Sequence, residues 1–138
     1  MSTVTKAIEI AARAHAEQTD KVGAPYILHP LRLMMQFDTE IEQIAAVLHD
    51  VVEDSTYTLD DLRTEGFSAA VIEIVDLLTH RDKDSYEHYI ERIRTNPVAR
   101  RVKLADLADN MDIKRLDQLT TKALARLERY HKAWLFLQ

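Results

Sequence analysis

Cysteine is absent from the sequence. That excludes disulfides, thiolate nucleophiles and thiolate-held zinc, so any metal must be bound by nitrogen and oxygen. Glycine and proline are scarce, two and three among 138 residues, which leaves few places for hairpins or sharp turns. No run approaches the roughly 20 apolar residues of a membrane span. The opening residues Met1 to Lys6 show neither the basic start nor the long apolar stretch of a secretory signal. A cytoplasmic, non-membrane protein is the expectation. The net charge of −5 argues against nucleic acid as the main partner, while leaving room for a local basic pocket that takes a phosphorylated small molecule.

What is present fits one ordinary globular domain over residues 1–138, with 46% hydrophobic and 30% charged residues. The abundance of Ala, Leu, Arg, Glu and Ile favours an all-α fold, a compact bundle of about seven to eight helices. Val4, Ile8, Ala11, Ala12 and His15 recur at helical spacing and predict a first helix over about 3–18. A loop with Gly23 as its flexible point follows. Pro30 pre-sets the first turn of a second helix that reaches about Phe37, placing His29 at its start. A third helix is expected over about 40–54. Thr58 and Ser68 are the cap residues of two more. Tyr86, Tyr89, Ile90 and Ile93 mark another, ended by Asn96-Pro97. Val98 to about Leu116 predicts a long helix, and Leu124, Leu127, Trp134 and Leu135 mark the last. The block 117–138 carries no motif beyond amphipathicity. The aromatics at helical spacing there suit a core or a contact in a homo-oligomer.

Two acidic clusters carry the chemistry. In Leu48-His49-Asp50-Val51-Val52-Glu53-Asp54, helical spacing puts His49 one turn before Glu53 and Asp50 one turn before Asp54. Acids this close repel unless a cation or a shared proton relieves them. A metal site is the functional reading and a solvated helix end the structural one. In Lys103-Leu104-Ala105-Asp106-Leu107-Ala108-Asp109-Asn110, Asp106 lies amid small apolar residues, where an isolated charge is costly. Pairing with Lys103 or Arg101 is the structural explanation, metal ligation the functional one. His15 and His131 fall on apolar stripes and read as core histidines. His80 and His88 flank a charged connector and read as exposed. Arg100, Arg101, Lys114 and Arg115 form a charge run, read as a solvated face with a basic phosphate rim as the sharper alternative. Arg32, three residues past His29, is read either as facing the same cavity or as exposed to solvent.

Spacing alone does not bring residues 29, 49–50 and 106 together. Tyr26-Ile27-Leu28-His29-Pro30, then His49 to Asp54, then Val102-Lys103-Leu104-Ala105-Asp106 with Asn110, resembles in order and wording the HD-domain hydrolases of the SpoT type. Those hydrolyse the alarmone (p)ppGpp in the stringent response. The resemblance runs from about residue 7 to 116. It implies that His29, His49, Asp50 and Asp106 hold one Mn2+ per chain, a ligand set suited to manganese, iron or magnesium. It implies that Glu53 and Asp54 orient and deprotonate the attacking water. It further implies a nucleotide substrate contacted by Lys21 and Asn110, with pyrophosphate released from the 3′ position to leave GDP or GTP. Asp109 is a rival ligand to Asp106, and the Lys-Leu-Ala-Asp wording favours Asp106.

Three positions depart from the family pattern: Asp20 where a basic residue often stands against the base, Asp109 in place of His or Tyr, and Asp112 in place of Arg. They leave the ligand set intact and open the choice of nucleotide to ppApp or NADPH. A non-catalytic nucleotide-binding module is the remaining alternative. The presence of all four ligands and both acids speaks against it.

Overall fold

Helix α3 (Glu40–Leu48) carries five consecutive buried residues, Ile44 to Leu48. A helix that is apolar all round has to be covered all round. Ala45 and Ala46 face one apolar cluster, with Leu33, Ile90, Ile93 and Val102. Ile44, Val47 and Leu48 face a second, with Ile10, Val51, Leu62 and Val75. Full burial of a side chain such as Leu48 contributes about 1.5–3 kcal/mol. The computed structural model describes residues 2–138. Among them the fold is all-helical, as expected.

The other helices are α1 (Val4–Ala14), α2 (Leu28–Met34), α4 (Val51–Asp54), α5 (Leu59–Thr64), α6 (Ala69–Leu78), α7 (Tyr86–Arg94), α8 (Pro97–Asn110) and α9 (Thr121–Leu137). A 3-10 turn covers Ile113–Arg115. Helices α1, α2 and α8 pack on α3, and α9 lies along α8 and α7. The caps follow the sequence. Thr58 and Asp61 form a reciprocal capping box, and Ser68 accepts from the Val71 amide. Asn96 caps α8 with Pro97 in its first position. No helix among the described residues is long and apolar enough to cross a membrane.

The second helix ends at Met34 rather than about Phe37, and three further expected boundaries move, each for a local reason. The first helix stops at Ala14 rather than about 18, because Gln18 turns back to bond the Ala14 and Asp54 carbonyls at 3.3 and 2.7 Å. The long late helix stops at Asn110 rather than about 116, because Asp112 caps the 3-10 turn through the Lys114 amide. The expected helix over 40–54 is broken at His49-Asp50, so that it counts as two. There His49 Nδ1–H donates to the Ala46 carbonyl at 2.6 Å, satisfying one of the last carbonyls of α3 with a side chain. Asp50 then leads into α4 with φ −106° and ψ −1°.

Candidate metal centre

Two helix starts and two helix ends meet here. His29 sits in the first turn of α2, one residue before Pro30, whose missing N–H falls where no intrahelical partner exists. His49 and Asp50 occupy the break between α3 and α4. Asp106 lies on the buried side of α8. His29 Nε2 is 2.8 Å from Asp106 Oδ1 and 4.0 Å from Asp50 Oδ2. His49 Nε2 is 3.0 Å from Asp50 Oδ2 and 3.3 Å from Asp106 Oδ1. Both histidines and Asp106 are buried.

The donor set fits a divalent cation. Six-coordinate ions with ligands at about 2.1 Å need neighbouring donors about 3 Å apart and opposite donors about 4 Å apart. Buried His49 Nε2 makes no aligned hydrogen bond, although it lies among carboxylate oxygens. Its Nδ1 donates to the Ala46 carbonyl, which turns Nε2 toward the cluster as the atom that would ligate a cation. The cluster is framed from outside. Tyr26 donates its hydroxyl to Asp50 Oδ2. Lys103 Nζ donates to Asp106 Oδ2 at 2.8 Å, and Asn110 Nδ2 to Asp106 Oδ1 at 3.1 Å. The rings of His15, Tyr26, His29 and His49 follow one another at 5.0, 5.6 and 5.2 Å between centroids.

The electrostatics separate the acids into two groups. Burial opposes ionisation of Asp106, but Lys103 and the histidines outweigh it and hold this carboxyl well below its usual range. Asp50 is likewise lowered to about 2, the nearby His49 overcoming burial. Glu53 and Asp54 go the other way. Burial raises Glu53, partly offset by the His80 amide that donates to Glu53 Oε1 at 2.7 Å, and the Asp50 charge adds to the rise. Burial, then the charges of Asp50 and Glu53, raises Asp54 to about 6. Asp50, Glu53 and Asp54 each offer an oxygen within 4.8 Å of the others. One acid pair is therefore lowered below its usual range and the other raised above it, Asp54 to about 6.

These groups open on a cleft of two adjoining lobes. The larger, about 530 Å³, is lined by Asp50, Glu53, Asp54, Lys103 and Asp106. The smaller, about 270 Å³, is lined by Asp20, Val22, Arg115, Leu116 and Leu127. Lys21, Tyr26, Asn110 and Tyr130 border both. Of the eight residues to which the resemblance assigns a role, seven line this cleft, Lys21 and Asn110 where its two lobes meet, and buried His49 lies behind them against Asp50 and Asp106.

Other residues lie elsewhere than expected. Arg101 pairs with Glu42, and Arg100 with the C-terminal carbonyls Leu137 and Gln138, so of that charge run only Arg115 lines the cleft. His131 is exposed and stacked near Trp134, on the outer side of α9. His80 is half-buried rather than exposed, stacked on Tyr89 and bonded to the Asp84 carbonyl. His15 is buried as read, with Nδ1 on Gln18 and Nε2 unpartnered. Asp20 is occupied by its own loop, where it accepts the Val22 and Ala24 amides at 3.0 Å each. Asp109 does not join the oxygens of the cluster. It bonds the far nitrogen of His29 and takes both arms of Arg32. The cations of α9, Arg126 and Arg129, were not singled out from the sequence. Their spacing from Tyr130, four and one residues, was the available signal, and only the cleft shows which stripe of α9 matters.

An all-helical domain with two histidines and two aspartates gathered in one cleft is a class defined by fold and site together. The HD-domain family model matches residues 7–126, and the chain belongs to this family. It is 34% identical over 124 residues to a probable GTP pyrophosphokinase of Mycobacterium leprae, covering 80% of this chain and 16% of that protein. It is 38% identical over 117 residues to a guanosine-3′,5′-bis(diphosphate) 3′-pyrophosphohydrolase of Haemophilus influenzae, covering 74% of this chain and 17% of that protein. The chain therefore spans about a sixth of the length of the curated relatives it matches. A solved structure described as a metazoan orthologue of SpoT that hydrolyses ppGpp matches with a TM-score of 0.80 at 23% identity. That match covers 97% of this chain and 84% of that one, a likeness of fold.

Proposed function

We propose that this HD-type domain is a Mn2+-dependent hydrolase that removes the 3′-pyrophosphate of (p)ppGpp, giving GDP or GTP. The observation that carries the reading is one cleft with a His/Asp centre and two raised-pKa acids at one end and clustered cations along the opposite wall. The pKa of Lys21 is lowered by burial, then by the neighbouring charges of Arg126 and Lys122. Cations that repel one another at a cleft wall are relieved by an anionic ligand, and a bis-diphosphate supplies one. The names of relatives that act on ppGpp point the same way.

His29, His49, Asp50 and Asp106 would hold the cation. It supplies Lewis-acid polarisation of a phosphoryl oxygen and lowers the pKa of water. Glu53, with Oε1 fixed by the His80 amide, has its second oxygen free to accept the proton of the attacking water. Asp54, titrating at about 6, shares that proton. The bond from water oxygen to the 3′ phosphorus forms as the bond from phosphorus to the ribose 3′ oxygen breaks, and the departing oxygen takes a proton from solvent. Lys21 and Asn110 border both lobes, where they would hold phosphate and sugar. The smaller lobe, with Val22, Leu116 and Leu127 beside Arg115, suits a planar base.

The test is incubation of the protein with ppGpp, ppApp and NADPH in Mn2+, with the products separated by anion exchange. Pyrophosphate and GDP from ppGpp, lost in Asp50→Ala, is the expected result. Orthophosphate from NADPH, with ppGpp untouched, would replace this substrate with another. No turnover of any of the three, together with nucleotide binding, would leave a binding module.

A further inference from the structure

The contacts on the outer side of His29 do work that the ligand set alone does not explain. His29 Nδ1 points away from the cluster and meets Asp109 Oδ2 at 2.6 Å. Asp109 is itself gripped. Arg32 Nε lies 2.9 Å from Oδ1 and Arg32 Nη2 2.9 Å from Oδ2, a two-armed fork on a mostly buried carboxylate. Arg115 Nη2 lies 3.3 Å from the same Oδ2 and also donates to the Asp109 carbonyl. The spacing makes this a lattice between two helices. His29 and Arg32 are three apart on α2, and Asp106 and Asp109 are three apart on α8. His29 meets both aspartates, one at each ring nitrogen.

His49 provides the comparison. Its Nδ1 is held by a main-chain oxygen, which cannot move far and carries no full charge. For His29 the corresponding acceptor is a side chain on another helix, and it anchors the ring only as firmly as it is itself anchored. A carboxylate there also makes the imidazole a better donor than a carbonyl does. We propose that Asp109, clamped by Arg32 and Arg115, is a positioning residue of the metal centre, fixing the His29 ring with Nε2 toward the cation. This rests on the reading that the His/Asp cluster holds a cation.

The experiment is titration of the metal-free full chain with Mn2+, free Mn2+ being read by its electron paramagnetic resonance signal, alongside the thermal midpoint of each metal-free protein. Asp109→Ala is expected to weaken Mn2+ binding by about 10- to 100-fold. Arg32→Ala, which leaves the carboxylate on His29, is expected to lower the thermal midpoint comparably while weakening Mn2+ by less than Asp109→Ala. If Asp109→Ala does not fold, Asp109→Asn keeps the size and one acceptor, and a loss toward the lower end of that range is expected. Wild-type Mn2+ affinity in the folded Asp109 variant, with only its thermal midpoint lowered, would make Asp109 a helix tie and overturn the proposal. A wild-type chain that binds no Mn2+ would overturn the centre, and the proposal with it.

Discussion

Asp54→Asn should stabilise the metal-free protein at neutral pH and leave it unchanged in acid. The carboxyl of Asp54 is raised from 3.8 to about 6 by burial and by the charges of Asp50 and Glu53. A carboxyl whose pKa is higher in the folded than in the unfolded state binds its proton more tightly when folded. Its contribution to stability is therefore largest below about pH 4 and is lost as pH rises to about 6. The difference between 3.8 and about 6 corresponds to about 3 kcal/mol. Asp54 lies among other groups in the cleft but its side chain still meets solvent, so the desolvation is incomplete and screening reduces this to about 1 kcal/mol. For a chain of this length that is a rise in the thermal midpoint of about 4 °C. The assay is thermal unfolding of wild-type and Asp54→Asn proteins in EDTA at pH 4 and pH 7.5. A gap of the same size at both pH values, or a variant less stable than wild type at pH 7.5, would refute the reasoning. The acid would then not be held against its own charge.

Three further outcomes follow from the cleft. Glu53→Gln keeps the shape and the His80 contact but removes the base, so ppGpp turnover should fall by roughly 10²-fold or more with Mn2+ affinity retained; turnover at the wild-type rate would remove Glu53 from the chemistry. Mn2+ at about 100 times its Kd adds about 2.7 kcal/mol, so differential scanning should show a midpoint roughly 10 °C higher than in EDTA, and Asp50→Ala should show no such rise. Arg126→Ala removes a cation from the wall of the smaller lobe and should raise KM for ppGpp about tenfold, the worth of one charge-assisted hydrogen bond. Steady-state kinetics that show kcat falling at constant KM would place Arg126 in the chemical step instead.

The helices and their caps were legible because period and capping are local. Thr58, Ser68 and Asn96 cap in the structure through contacts no more than three residues long. The break at His49-Asp50 was not legible, since apolar spacing over 40–54 is continuous and a ring proton taking the Ala46 carbonyl leaves no mark on it. The candidate site divides in the same way. The two acidic motifs stand out in the sequence, whereas joining His29 to Asp106 spans 77 residues and came from resemblance, not from spacing. Arg32 and Asp109, equally distant in sequence, read separately as an arginine beside a cavity and as a spare ligand. Only their pairing shows what each does. Arg126 and Arg129 sit in a helix whose amphipathic pattern is ordinary, and nothing local tells a cleft-facing cation from a solvated one.

Helix α9 packs along α8 yet holds none of the four cluster residues, which lie on α2, α8 and the α3–α4 break. Arg126, Arg129 and Tyr130 reach the cleft from this separate segment. On the proposed function, part of the choice of substrate is thus written apart from the stretches that hold the cluster. If the proposed function holds, a substitution on the inner stripe of α9 would retune which nucleotide is held while the His/Asp cluster stays in place.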